Sequence, residues 1–476
     1  MKLEFNSTPS DPSTSVLDEI ISIQKECRKN PLKLEAARVL VLEQMELRGF
    51  NRELIRFAKK ALNSSTLLAG GSPRKSLSSQ QLTRGSSAHH EKRKYEKGVG
   101  GRAPSERIAK VRELLNKLML VKDQDALDIL LGVVAAHELD RDAPWTFIVG
   151  PPGGGKNEFL NLFQMHPKSL YIDNVTPKTL ASGLQEQDAV GGQAPSLLAK
   201  FPNSIYLFQD FTTLLSNHHE AKDQIFAQLR QIYDDTYHPR YGTGGELDWK
   251  GHISFIAGVT PVIYHQYKMM ATLGPRFFML RLQLPSRGEM VKFARSREDA
   301  KELREQLQNS VADLFEFLPS FKPTVPEEYG EWFDALADFV SKARAGIKRN
   351  TRGEVEELPE PEVGTRAVLQ LLNLSKGIAL VNGREVVGVD EKRMVSRYVW
   401  DTIPPYRAHI LTKLKETNDL RMVDFKQDST YSDDVLDVAL EDLQLLGLIE
   451  RNDRNSITRV FNLTQDSKKW FDVLAQ

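Results

Sequence analysis

One stretch constrains this chain more than any other. Trp145-Thr146-Phe147-Ile148-Val149 runs into Gly150-Pro151-Pro152-Gly153-Gly154-Gly155-Lys156-Asn157. The apolar run Phe147-Ile148-Val149 reads as a buried strand. A glycine loop follows, then Lys156, then the helical pattern Glu158-Phe159-Leu160-Asn161-Leu162-Phe163. Strand, glycine loop, lysine and helix in that order are the context of a phosphate-binding loop. Glycines let backbone N–H groups turn inward around a polyphosphate, and a helix N-terminus adds partial positive charge. Gly150, Pro151, Pro152, Gly153, Gly154, Gly155, Lys156, Asn157 and Glu158 are therefore the candidate nucleotide-binding residues. Lys156 is expected to face solvent and to reach the β- and γ-phosphates. Asn157 stands where such loops carry a serine or threonine hydroxyl for Mg²⁺. Its side-chain carbonyl is a weaker ligand for an ion that demands tight octahedral geometry. The alternative is a Gly/Pro turn with an incidental lysine, and the flanking strand and helix weigh against it.

A chain of 476 residues has room for about three domains. Lys+Arg and Asp+Glu both number 64, so net charge is zero and any nucleic-acid footprint must be local. The single cysteine, Cys27, excludes an intrachain disulfide framework and fits a reducing compartment. The opening Met1-Lys2-Leu3-Glu4-Phe5-Asn6 carries no basic-then-apolar signal, and no apolar run approaches the ~20 residues that span a bilayer. A cytoplasmic protein without membrane contact is expected.

Five segments differ in rhythm. Residues 1–62 hold helical apolar patterns and read as an N-terminal helical module whose faces need a partner. Residues 63–104 are a flexible linker, rich in Gly and Ser. The linker carries Arg74, Lys75, Arg84, Lys92, Arg93, Lys94, Lys97 and Arg102 against Glu91 and Glu96. That charge fits contact with nucleic-acid phosphates, or a solvated tether. Residues 105–285 alternate strands, at 169–172, 204–208, 253–259 and 277–284, with helices such as 176–184 and 220–233. This predicts an α/β core with a parallel sheet and crossover helices. Residues 286–403 are a helical lid, with helices expected over 289–308, 310–317, 329–345, 364–381 and 391–402. In residues 404–476, helices followed by two short strands predict a winged helix. Its second long helix carries Asp433, Asp434, Asp437, Glu441 and Asp442. Such a face repels phosphates. The tail is therefore expected to bind protein, or to touch DNA only through Arg451, Arg454 and Arg459.

Phosphoryl transfer needs a metal-side carboxylate, a group that orients water, and positive charge on the γ-phosphate. The strand Ile205-Tyr206-Leu207-Phe208 ends in Gln209-Asp210. Two registers are open. Asp210 holds the metal and Phe211 falls where a catalytic glutamate belongs, or Gln209 takes the metal side and Asp210 orients the water. A plain capping role for Asp210 is the alternative. Thr260, at the tip of the strand ending Gly258-Val259, can bond the attacking water or merely start a turn before Pro261. Arg276, after Gly274-Pro275, stands where ring ATPases carry an arginine finger acting on a neighbouring subunit, and Arg suits phosphate through its planar fork; an ordinary surface arginine is the alternative here, as it is for Arg366. Arg366 opens a lid helix and can supply a second charge. Arg230, Arg240 and the glycines of 242–245 fit a channel-facing loop, or a plain hairpin insertion.

The order of glycine loop, Walker-B-like strand, threonine, Gly-Pro-Arg and helical lid resembles an AAA+ ATPase. The block opened by Arg366-Ala367-Val368-Leu369, with Asn382-Gly383-Arg384-Glu385-Val386-Val387 and Asp390, resembles the lid of minichromosome-maintenance and MoxR-type ATPases. More narrowly, the core is similar to uncharacterised ATPases of phages and mobile elements. The carriers there are Trp145 with Gly150 to Lys156; Thr176-Pro177 with Leu180-Ala181-Ser182-Gly183; Asp210-Phe211-Thr212; Leu229-Arg230 with Tyr233-Asp234; Gly258-Val259-Thr260-Pro261; and Gly274 with Arg276-Phe277. The resemblance covers about 105–465. It implies ATP and Mg²⁺ as cofactors, with Asn157 and Asp210 on the metal and Gln209, Asp210, Thr260, Arg276 and Arg366 around the reacting phosphate. It also implies a homo-oligomer, a hexameric ring. Asn157, the missing Asp-Glu pair and Pro275 depart from the pattern and bear on the rate of hydrolysis more than on binding. The expected function is an ATPase that moves or remodels DNA, such as a phage or mobile-element helicase or initiator. The alternatives are a defence or signalling ATPase or protein remodeller, with a protein partner at the N-terminal helices or the winged helix, and a nucleotide-binding scaffold with little turnover.

Overall fold

Five apolar segments pair into one all-parallel sheet. They are β1 (Trp145–Val149), β2 (Ser169–Ile172), β3 (Asn203–Phe208), β4 (His252–Val259) and β5 (Phe277–Arg281). The spatial order is β2-β3-β4-β1-β5, so β1 lies inside the sheet with β4 and β5 as its neighbours. The computed structural model describes residues 103–475 apart from 140–141, 174, 182–195, 216–218, 241–246, 267–275, 297–299, 351 and 456–457. The expected N-terminal module, nearly all of the basic linker, and Gly274-Pro275 lie outside the described residues.

Successive side chains of a strand face opposite sides, and both sides here are covered. Ile148, Ile205, Leu207, Ile256 and Phe278 face one hydrophobic cluster. It is built with α1 (Pro104–Leu118), α2 (Gln124–Leu139) and the later helices. Trp145, Phe147, Tyr206, Phe208 and Phe255 face the other. That side is covered by α4 (His219–Tyr233), which brings Ile225, Phe226 and Leu229. Burial on both faces explains why these strands read as continuous apolar runs rather than as alternating ones. A short α3 (Lys156–Asn161) follows the glycine loop. Residues 236–250 contain a small antiparallel pairing of Thr236–Tyr237 with Trp249–Lys250.

Beyond the sheet come α5 (Arg287–Ser296), α6 (Ala300–Glu316), α7 (Gly330–Ala343), α8 (Thr365–Val381) and α9 (Val389–Thr402). The boundaries differ from expectation at α5 and α6. The helix expected over 289–308 is met by α5 and by the first half of α6, with 297–299 outside the described residues, and the break expected near 309 is absent. Leu307, Val311 and Leu314 continue one buried stripe through that point, and neither Gly nor Pro interrupts it. In contrast, α5 buries no residue at all. The chain ends with α10 (Pro405–Glu416), α11 (Met422–Lys426), α12 (Asp433–Leu445), the antiparallel pair β6 (Ile449–Asn455) and β7 (Thr458–Leu463), and α13 (Gln465–Leu474). Asp442, expected on the outward acidic face of α12, is buried instead. Its carboxylate accepts from Arg407 Nη2 at 2.7 Å and Arg349 Nη2 at 2.6 Å. A buried charge persists only when it is paired. Asp433, Asp434, Asp437 and Glu441 remain exposed. Among the described residues no helix is long and apolar enough to cross a membrane.

Candidate functional site

The glycine loop sits at the carboxyl end of β1. Gly153 and Gly155 adopt φ of 74° and 85°, a left-handed backbone that costs glycine little and other residues more. Gly155 is the cap of α3, whose first N–H groups have no partner inside the helix. Lys156 is 9 % exposed, so it is buried rather than solvent-facing as expected. Its Nζ donates to the carbonyls of Gly150 at 2.8 Å and Pro151 at 2.9 Å. Burial pulls its pKa below the usual lysine value, opposed by the nearby Asp210 carboxylate. Asn157 is exposed beside it. Glu158 forms a two-pronged ion pair with Arg304 of α6, at 2.9 Å (Nε–Oε2) and 2.5 Å (Nη2–Oε1).

The ends of the neighbouring strands complete a cleft of about 480 Å³. Gln209, Asp210 and Thr260 line it together with the residues from Pro152 to Glu158. Asp210 is exposed, while Phe211 is fully buried against Phe147, with ring centres 4.9 Å apart. Asp210 also caps a helical turn, Thr212–Leu215. Its Oδ1 accepts from the Thr212 N–H at 2.9 Å, and its carbonyl accepts from Thr213 Oγ1 at 2.8 Å. Thr212 Oγ1 in turn accepts from the Thr260 N–H at 3.4 Å. Capping and cleft-lining are therefore both true of Asp210. The other wall is apolar, made by Met119 and Leu120 after α1 and by Met290, Phe293 and Ala294 of α5.

Arg276 and Arg366 are not in this cleft. Phe277 pairs with Trp145 in the sheet, so Arg276 lies level with the amino end of β1. A five-residue strand separates it from the loop, roughly 16 Å at 3.3 Å per residue. Arg366 is beside it. Their guanidinium carbons lie 5.5 Å and 5.6 Å from the centre of the Tyr233 ring. Arg276 Nη2 is 3.6 Å from Asp234, and Arg366 Nη1 donates to Glu362 at 3.0 Å. The site residues thus form two groups at opposite ends of the sheet. Sequence reasoning missed Arg304 and the apolar wall. No local pattern marks them, because each meets its partner across a long stretch of chain.

The cleft can hold a small anionic molecule by its loop end and an apolar ring by its wall. Such size and mixture are typical of ligand pockets. No protein-family model and no curated protein matches this chain.

Proposed function

We propose that the chain binds ATP with Mg²⁺ in this cleft and acts as an AAA+ type ATPase assembled from several copies. The observation that carries the reading is one convergence: Lys156, Asp210 and Thr260, from the ends of β1, β3 and β4, border one cleft. Lys156, on leaving the loop carbonyls, donates to the β- and γ-phosphates. Asn157 and Asp210 would hold the metal, whose charge would offset that of the phosphates. Of residues 209–211, only Gln209 and Asp210 border the cleft. With Asp210 on the metal side, Phe211, buried away from the cleft, leaves the place of a catalytic glutamate without a carboxylate. Thr260 bonds the water or the γ-phosphate. Arg276 and Arg366 lie a strand's length from their own loop and serve the cleft of a second copy, so each active site is shared between subunits.

In this reading residues 286–403 are the lid, residues 404–476 a winged helix, and DNA the substrate. The basic residues of 63–104 supply phosphate contacts. A second reading, a remodeller or signalling ATPase with a protein partner, draws on the exposed Asp433, Asp434, Asp437 and Glu441 of α12. The test is ATP binding and turnover by the whole chain and by Lys156→Ala, with and without single-stranded DNA. Stimulation by DNA favours the first reading, and turnover indifferent to DNA favours the second. ATP binding without turnover leaves a scaffold. Equal ATP affinity in Lys156→Ala and the parent rules out the cleft as the nucleotide site.

A further inference from the structure

β5 is an edge strand of the sheet. Its inner side pairs with β1, and Leu282 continues that pairing by donating its N–H to the Val149 carbonyl at 3.0 Å. An edge strand leaves a row of N–H groups on its outer side. Here side chains fill that row. Met279 N–H donates to Thr402 Oγ1 at 3.0 Å, Arg281 N–H to Asp401 Oδ2 at 3.1 Å, and Gln283 N–H to Asp123 Oδ2 at 3.2 Å. Thr402 and Asp401 belong to α9, and Asp123 precedes α2.

Arg397 of α9 ties the last two carboxylates together. Its Nη1 and Nη2 donate to the two oxygens of Asp123, and Nη2 also donates to the Arg281 carbonyl at 3.2 Å. Its Nε lies 3.6 Å from Asp401. Both carboxylates are buried. Arg281 makes a second bond to Asp401, Nε to Oδ1 at 3.2 Å. Asp125, 3.9 Å from Arg397, is held by Arg393, and Arg112 pairs with Asp128 beside it. Four arginines meet four carboxylates, so the group calls for no further ion. Compared with apolar packing, buried ion groups add little to stability, whereas the planar Arg fork fixes direction. What it fixes here is the chain from Arg281 to Leu284, and that chain backs the glycine loop. A β-carbon on Gly150 would stand 3.8 Å from Leu282 Cδ1, and one on Gly154 would stand 3.0 Å from Leu284 Cδ1.

We propose that Arg397 is a positioning residue for the polyphosphate: it holds residues 281–284 from their outer side, and through Leu282 and Leu284 it keeps the glycine loop in the shape that receives phosphates. The proposal rests on the nucleotide reading of the cleft. Arg397 does not line that cleft, so it acts only through the tail of β5.

Arg397→Lys keeps the charge but not the fork, so one ammonium has to choose between Asp123 and the Arg281 carbonyl. Leu284→Ala removes the contact at Gly154 from the other end, at a half-buried position. Each should weaken ATP binding and raise KM about tenfold with kcat held within about twofold, because the loop grips the phosphates alike in the ground state and the transition state. The double variant should bind no more than about twofold more weakly than the poorer single one, since both changes break one linkage, whereas independent effects would multiply to about a hundredfold. Arg407→Lys, in a similarly buried ion pair with Asp442, is the control for lost stability and should bind ATP as the parent does. Should Arg397→Lys not fold, Asp401→Asn keeps an acceptor for the Arg281 N–H and enters the same cycle with Leu284→Ala, at a loss of about threefold. Effects that multiply, or parental ATP affinity in the folded latch variant, overturn the proposal. If Lys156→Ala loses ATP while Arg397→Lys keeps it, only this proposal fails. If Lys156→Ala binds ATP as the parent does, the cleft reading fails and this proposal with it.

Discussion

Gly377 of α8 lies against Gly132 of α2 so closely that a β-carbon on Gly377 would sit 2.2 Å from the Gly132 carbonyl oxygen. A β-carbon on Gly132 would in turn stand 2.4 Å from Ile378 Cγ1. The two helices therefore touch backbone to backbone, and that contact seats α8, with Arg366 in its first turn, against the helix that leads into β1. Gly377→Ala should destabilise the protein by about 1–3 kcal/mol or more, the usual cost of overpacking. Gly330→Ala is the control, because a β-carbon there meets nothing within 4 Å. It should be neutral, or stabilise by up to about 1 kcal/mol. Chemical denaturation of both variants checks the contrast, and equal stabilities would contradict the close approach.

Asn157 is exposed at the mouth of the cleft beside buried Lys156, so a smaller hydroxyl residue fits there without repacking. Asn157→Thr restores the ligand that Mg²⁺ prefers. Turnover should rise severalfold and the Mg²⁺ concentration for half-maximal activity should fall. A drop in turnover would mean the site is built around the amide.

Arg276 is separated from its own loop by the length of β1. In the proposed shared site it would act from a neighbour, and an arginine so contributed is worth about 10³–10⁵ in rate. Arg276→Ala should therefore bind ATP nearly as the parent does and hydrolyse it at least about 10³-fold more slowly. Mixed with Lys156→Ala, it should regain part of the activity, since one mixed interface joins an intact loop to an intact arginine. Co-assembled parents that regain nothing would assign Arg276 to its own subunit or to the fold.

His166 is 5 % exposed, and its ring stands edge-on to Phe315 at 4.9 Å. Burial holds its pKa down at about 4, against an ordinary 6.5. The folded chain thus keeps the ring neutral while the unfolded chain takes up a proton. Stability from this residue is intact above pH 6.5 and is lost as the pH falls from 6.5 towards 4. The loss is at most about 3 kcal/mol, at 1.36 kcal/mol per pKa unit. His137 is likewise held low by burial, at about 2, and adds loss of the same sign. His166→Asn keeps an acceptor near the Nδ1 position, which takes the Lys168 N–H at 3.3 Å. Urea unfolding at pH 7 and pH 4.5 should then show a smaller acid loss in the variant than in the parent. Equal losses would mean His166 titrates normally in the fold.

What the sequence determined by itself was local. The five strands lie where apolar runs of buried residues end at polar or glycine positions, and the loop from Gly150 to Lys156 follows β1 as the motif requires. Strand type and turn conformation depend on neighbours a few residues away, which periodicity and glycine spacing record. The helices over 329–345, 364–381 and 391–402 were legible for the same reason, to within a few residues. At 309 the same rules misled, because a polar Asn-Ser pair, half-buried in α6, resembles a break until the buried stripe of Leu307, Val311 and Leu314 is seen. The tertiary structure alone decided which ends meet. The sheet order inserts β4 between β3 and β1, and that brings Thr260 and Asp210 to the loop while leaving Arg276 and Arg366 at the other end. The burial of Lys156 and Asp442, the grip of Arg304 on Glu158, and the meeting of Gly132 with Gly377 belong to the same class. Each joins residues through contacts that only the assembled fold creates, and charge or shape complementarity across such distances leaves no period in the chain to read.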